Sequence, residues 1–124
     1  MKTKTLLCIV LIFVGLTSCT KDIIEPKVTV ETPNAAAKFS IDVYPLFATY
    51  SCTTCHGNSG GLSLSGTASV VRTNLLVNAV IAGNSTGSML YIKFKNGASH
   101  NGKSLTSTEV SNIKGWIDSG ALDN

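Results

Sequence analysis

Hydrophobic positions along the 124-residue chain fall into one N-terminal block and several shorter, periodic groups. The clearest group is the last. Val110, Ile113, Trp116 and Ile117 recur at i, i+3, i+6 and i+7, the spacing of one helical face. Thr106 and Glu109 stand three apart just ahead of them, as a capping box, and Gly120 closes the run. Val71, Leu75, Leu76, Val80 and Ile81 predict a second helix over 70–82, ended by Gly83, and a short helix is expected over 88–94. Ile41, Pro45, Leu46 and Phe47 predict a helix within 39–50, with Ser40 or Asp42 as N-cap and Pro45 in its first turn. Leu62 and Leu64, after Gly60-Gly61, share a side and are expected to be buried. Neither an internal repeat nor a hairpin signal is read. The expected fold is all-α, with three to five helices.

The N-terminal block has another meaning. Lys2 and Lys4 precede an apolar run from Leu6 to Leu16, the length of a signal peptide and short for a membrane span. Leu16-Thr17-Ser18-Cys19 then reads as a lipobox, with cleavage after residue 18 and lipid on the Cys19 thiol. Residues 20–38 mix charges with Pro26 and Pro33 and keep no period, so 19–38 is read as a lipid-anchored tether, with a possible edge strand at 27–31. Residues 39–124 remain as one domain. The formal charge of +3 includes Lys2 and Lys4, which leave with the leader, so it does not point to nucleic acid. These features place the protein in a bacterial cell envelope, on the periplasmic side or at the outer membrane.

Cys52-Thr53-Thr54-Cys55-His56 carries the chemistry. C-x-x-C-H is the attachment signature of a c-type haem. Two thiols three positions apart can each add to a vinyl group on one porphyrin edge, and the next residue supplies the proximal imidazole. Cys52 and Cys55 are therefore the expected thioether anchors of one covalent haem c, and His56 an axial ligand of its iron. Three other readings compete. A thioredoxin-type pair needs a βαβ context that the chain lacks. A closed zinc site wants four ligands, and a disulfide would close a very small loop. The haem assignment also uses every cysteine, since Cys8 leaves with the leader and Cys19 takes lipid. Phe39, Tyr44, Phe47, Tyr50, Tyr91, Phe94 and Trp116 make a sparse aromatic set, so haem is expected to complete the core. Asp42, Glu109, Asp118 and Asp123 have local capping or surface explanations and form no acid–base pair or nucleophile constellation.

Pro45-Leu46-Phe47, Cys52 to His56, Gly60 to Leu64, Ser88 to Tyr91 and Leu105 to Ala121 follow one another in an order that resembles the small class I-type cytochrome c domains of planctomycete and Bacteroidetes envelope proteins. The resemblance spans nearly all of 39–121 and implies helices wrapped round the haem. Such domains place a Met-Pro pair shortly before the terminal helix, where the Met is the distal ligand. This chain has Asn96-Gly97-Ala98-Ser99-His100-Asn101-Gly102 there instead. His100 is the expected distal ligand, Met89 the alternative and an open site the third. Met89 falls where the family has a packing residue. Two strong ligands suit electron transfer, and a bis-His iron sits at lower potential than a His/Met one. The expectation is a lipid-anchored carrier of single electrons between envelope redox proteins, not an enzyme. The alternatives are a haem enzyme or gas sensor with an open sixth iron site, and a non-haem binding lipoprotein.

Overall fold

The computed structural model describes residues 37–57 and 61–124. The leader, Cys19, the tether up to residue 36 with its expected strand, and residues 58–60 lie outside the described residues. Four α-helices carry the fold: α1 (Tyr44–Thr49), α2 (Ala68–Asn78), α3 (Met89–Ile92) and α4 (Ser107–Asp118). The described residues contain no strand, and their one β-bridge joins His100 to Lys103. The all-α expectation holds at this level.

α4 is the spine. Thr106 Oγ1 accepts the Glu109 N–H, and Glu109 Oε2 accepts the Thr106 N–H at 2.7 Å, so the predicted capping box is formed. Its apolar stripe is fully buried, with Val110, Ile113, Trp116 and Ile117 all within the core. Gly120 takes φ 100° and Ala121 φ 51°, which turns the chain back so that Ala121 N–H reaches Trp116 O at 2.9 Å. Trp116 stacks on Phe39 with ring centroids 4.7 Å apart, and its indole N–H is donated to Leu122 O.

Phe39 belongs to a π-helical turn, Phe39–Val43, that runs directly into α1. Asp42 starts this segment from within, accepting the Lys38 N–H on Oδ2 at 2.7 Å. Ser40 is not an N-cap: its hydroxyl is donated to Asn124 O, and Asn124 Oδ1 accepts the Phe39 N–H. Ile41 points to solvent at 66 % exposure, while Phe39 and Val43 fill the core on the other side of the turn. Ala37 is already buried, so packing begins two residues before the expected boundary at 39.

α2 starts earlier and stops earlier than its hydrophobic pattern suggested. Thr67 caps it, and Ala79 leaves helical geometry at φ −144°. Val71 and Leu75 reach the core from the helix and Val80 from just beyond it, whereas Ile81 is half exposed. The reason is a non-local bond. Leu90 N–H reaches Ala79 O at 3.1 Å, and Ser88 Oγ accepts Ile81 N–H and is donated to Asn84 O. The buried Ser88 hydroxyl thus replaces a further turn of helix and seats α3 against the end of α2.

Candidate functional site

The C-x-x-C-H segment is a single tight turn. Tyr50 closes α1 by donating its N–H to Leu46 O, and Ser51 reverses the chain with left-handed backbone, φ 52° and ψ 37°. A 3-10 turn, Cys52–Thr54, follows. The N–H groups of Cys55 and His56 both reach Cys52 O, at 3.2 and 2.9 Å. These two hydrogen bonds to one carbonyl gather the two thiols and the imidazole onto one compact loop. Both thiols are free, Cys52 half-buried and Cys55 exposed. Burial raises the Cys52 thiol pKa, against an opposing pull from the Lys103 ammonium. A Cβ on Gly57 would stand 3.0 Å from Thr53 O, so the residue after the motif must be small for the turn to close. Beyond it, Leu64 N–H returns to His56 O at 2.7 Å and brings Leu62 and Leu64 to the site. Leu64 is buried as expected, and Leu62 is only partly so.

His100 comes from a different device. His100 and Lys103 exchange both backbone hydrogen bonds, N–H to O, at 2.9 and 3.0 Å. Asn101 and Gly102 between them have φ 50° and 74°. This is a two-residue hairpin turn of the kind that Asn-Gly favours, since both positions need left-handed backbone. The signal stood in the sequence, contrary to the reading that no hairpin was present. The turn holds the His100 ring 6.0 Å from that of His56, at an interplanar angle of 28°. Phe94 meets His100 edge-on, also at 6.0 Å. Asn101 Nδ2 lies 3.8 Å from Cys55 Sγ, so the hairpin touches the thiol turn directly.

Between them lies a cleft that opens to solvent. Phe47, Leu62, Leu64, Leu75, Leu90 and Phe94 supply its apolar wall, and Tyr50, Cys52, Cys55, His56, His100 and Lys103 its polar groups. Met89 lines this cleft and is 50 % exposed, so it is a wall residue and not the core filler expected from its place on a helix. Both sequence-derived distal candidates therefore reach the same space, but only His100 is shown facing His56.

The residues present fit a haem c. The cleft is walled chiefly by apolar side chains with a few polar groups among them, the character of a cofactor site. Two free thiols stand at its rim, next to one imidazole. His56 Nδ1 is buried and finds no hydrogen-bond partner among the described residues. The His56 and His100 rings stand 6.0 Å apart, centre to centre, and near parallel at 28°. No group of three or more His, Cys, Asp or Glu side chains converges closely enough to hold a metal ion by itself among the described residues. The chain matches no family model, no curated protein and no solved structure.

Sequence reasoning missed Asn101, Lys93 and Lys103 as members of the site. Asn101 was readable, being half of an Asn-Gly turn. The lysines were not, because a single exposed Lys in a loop carries no signature of the cleft it faces.

Proposed function

We propose that this protein is a lipid-anchored monohaem c-type cytochrome that carries single electrons between redox proteins of the bacterial envelope. One observation carries the reading: two imidazoles, His56 and His100, face each other 6.0 Å apart across an apolar cleft whose rim holds the free thiols of Cys52 and Cys55. Cys52 and Cys55 would hold the haem through thioethers, His56 and His100 would ligate its iron, and the leader with Cys19 would attach the whole to the membrane.

The bound haem would supply reversible one-electron chemistry. The chain's own residues do the rest. The shared Cys52 carbonyl fixes the thiols and His56 in one turn. The hairpin fixes His100, so both imidazoles that would ligate the iron are held by tight backbone turns. Phe47, Leu64, Leu75 and Phe94 keep the surroundings dry, which lowers the reorganisation that a change of charge requires.

The test is direct. Protein expressed with an intact leader, in a host that assembles c-type cytochromes, should give a pyridine haemochrome spectrum with one haem per chain. The ferrous form should be low-spin and slow to bind carbon monoxide. Haem-free, folded protein from that host would sink the reading. Rapid carbon monoxide binding would move it to the open-site alternative, a haem enzyme or gas sensor.

A further inference from the structure

The two thiols of the turn are held in different ways. Cys52 is half-buried and packs against the core. Cys55 is exposed, and its sulfur accepts a hydrogen bond from Asn101 Nδ2 at 3.8 Å. A cysteine side chain turns about one bond among three staggered positions. Packing restricts that choice for Cys52, whereas solvent leaves it open for Cys55 unless a partner fixes it. Asn101 supplies such a partner, from 46 residues further along the chain. The hairpin does not need the amide for its own sake. Asn101 and Gly102 stand at φ 50° and 74°, and Gly serves at the first of these positions as Asn does. His100 and Lys103 close the turn by exchanging backbone hydrogen bonds. The Asn101 side chain is thus free of the turn and reaches the sulfur.

Resting on the haem reading, we propose that Asn101 is a positioning residue for Cys55: its amide holds the sulfur in one orientation at the cleft that both residues line, so that closure of the His100 hairpin and attachment at this thiol favour each other. The thiol adds across one porphyrin vinyl group. A carbon–sulfur bond forms as the vinyl π bond and the S–H bond break, and the hydrogen ends on the neighbouring vinyl carbon. No oxidant or reductant is consumed. The Asn101 amide takes no proton in this step; it narrows the orientations from which the sulfur starts. Sulfur is a weak acceptor, so loss of the amide should cost about threefold at Cys55 and nothing at Cys52.

The experiment uses the full chain, leader included, in a host that assembles c-type cytochromes. Free thiols are blocked with iodoacetamide, and peptide mass mapping then gives the haem-linked fraction at each cysteine. Asn101→Gly keeps the turn and the low-spin spectrum, and should raise the blocked fraction at Cys55 about threefold with Cys52 unchanged. Asn101→Asp also suits the turn but offers no side-chain N–H, and should act in the same direction. Asn96→Gly, at another left-handed position (φ 57°), should alter neither thiol. Where singly attached chains are degraded, paired variants read the same quantity. Asn101→Gly should lower haem per chain about threefold in Cys52→Ala, where Cys55 alone carries the link, and leave it level in Cys55→Ala. No change at Cys55, or an equal loss at both thiols, overturns the positioning role and leaves the haem reading standing. Wild-type protein without covalent haem removes both.

Discussion

Tyr50 donates its hydroxyl hydrogen to Glu109 Oε2 at 2.7 Å, joining residues 59 apart in sequence. The same oxygen accepts from the Thr106 backbone and hydroxyl. One carboxylate thus ties the cap of α4 to the residue that leads into the thiol turn.

That link makes stability fall at both ends of the pH scale. Burial pushes the Glu109 carboxyl up, but hydrogen bonds from Thr106 and Tyr50 outweigh it and hold the pKa below its ordinary value. Asp118 is held low in the same way, burial being outweighed by Lys114 and Ser85. As pH falls, the unfolded chain therefore takes up protons first. The contribution of both groups should be complete above about pH 5 and drain away below about pH 4. The Tyr50 hydroxyl is raised above its ordinary value of 10.0, mainly by its bond to Glu109, so its contribution is present below pH 10 and is lost as pH climbs further. Urea midpoints across pH should show both declines in the wild type. Tyr50→Phe should remove the alkaline decline and weaken the acid one. An unchanged alkaline limb in Tyr50→Phe would refute this assignment.

Ser51 holds left-handed backbone immediately before Cys52, without the freedom of Gly or the side-chain compensation of Asn. Ser51→Gly should raise stability by about 0.5 kcal/mol, the relieved strain less the added chain entropy. Ser51→Val, β-branched at the same φ, should lower it by about 1–2 kcal/mol. Chemical denaturation checks both. Equal stability of the two variants would mean that the turn relaxes.

The core prediction concerns α4. Trp116 is 1 % exposed, stacks on Phe39 and donates to Leu122 O. Trp116→Ala should cost about 3–5 kcal/mol, and Ile113→Ala about 2–5 kcal/mol. Trp116→Phe keeps the stacking but loses the hydrogen bond and some volume, and should cost about 1–2 kcal/mol. Thermal or urea unfolding followed by circular dichroism gives the order. A Trp116→Phe protein weaker than Trp116→Ala would contradict it.

At the hairpin, Gly102→Val places a β-branched residue at φ 74° and should cost about 1–2 kcal/mol locally. Asn101→Gly keeps the turn. In holoprotein, His100→Ala should open the sixth position, giving a high-spin ferric spectrum and carbon monoxide binding. Gly102→Val should give a mixture, and Asn101→Gly the wild-type spectrum. Met89→Leu should leave the spectrum unchanged. Loss of a far-red charge-transfer band in Met89→Leu, with no change in His100→Ala, would assign the ligand to Met89.

Attachment is tested separately. Cys52→Ala, Cys55→Ala and His56→Ala should each remove most of the holoprotein, with proteolysis of the chain left behind, because the apolar cleft then stays hydrated. Cys19→Ser should leave the protein unanchored or uncleaved. Fatty-acid labelling of the wild type reads this out, and absence of label would count against the lipoprotein assignment.

The sequence was most legible where local rules and tertiary packing agree. The capping box at Thr106 and Glu109, the stripe from Val110 to Ile117 and the stop at Gly120 all stand where periodicity and cap chemistry placed them. The end of α2 was not legible. Leu76, Val80 and Ile81 continue a helical pattern, yet Ser88, seven residues on, takes over the backbone groups of Ile81. Ile41 counts toward the helix predicted within 39–50, but it lies in the π-helical turn and is exposed. At the site, Cys52, Cys55 and His56 could be named from spacing alone. The approach of His100 to His56 could not, since it depends on where a two-residue turn lies on the rest of the fold.

The bonds between Asn124 and the segment Phe39–Ser40 also govern how the domain bears tension. A pull along the chain ahead of Ala37 is met by the burial of Ala37, by the Lys38 N–H bond to Asp42 and by these bonds, which hold the π-helical turn to Asn124. Every residue that lines the cleft lies further along, from Phe47 onward. A tethered domain tugged from its leading end would thus yield at a clasp that can close again, before any strain reaches the thiols or the two facing imidazoles.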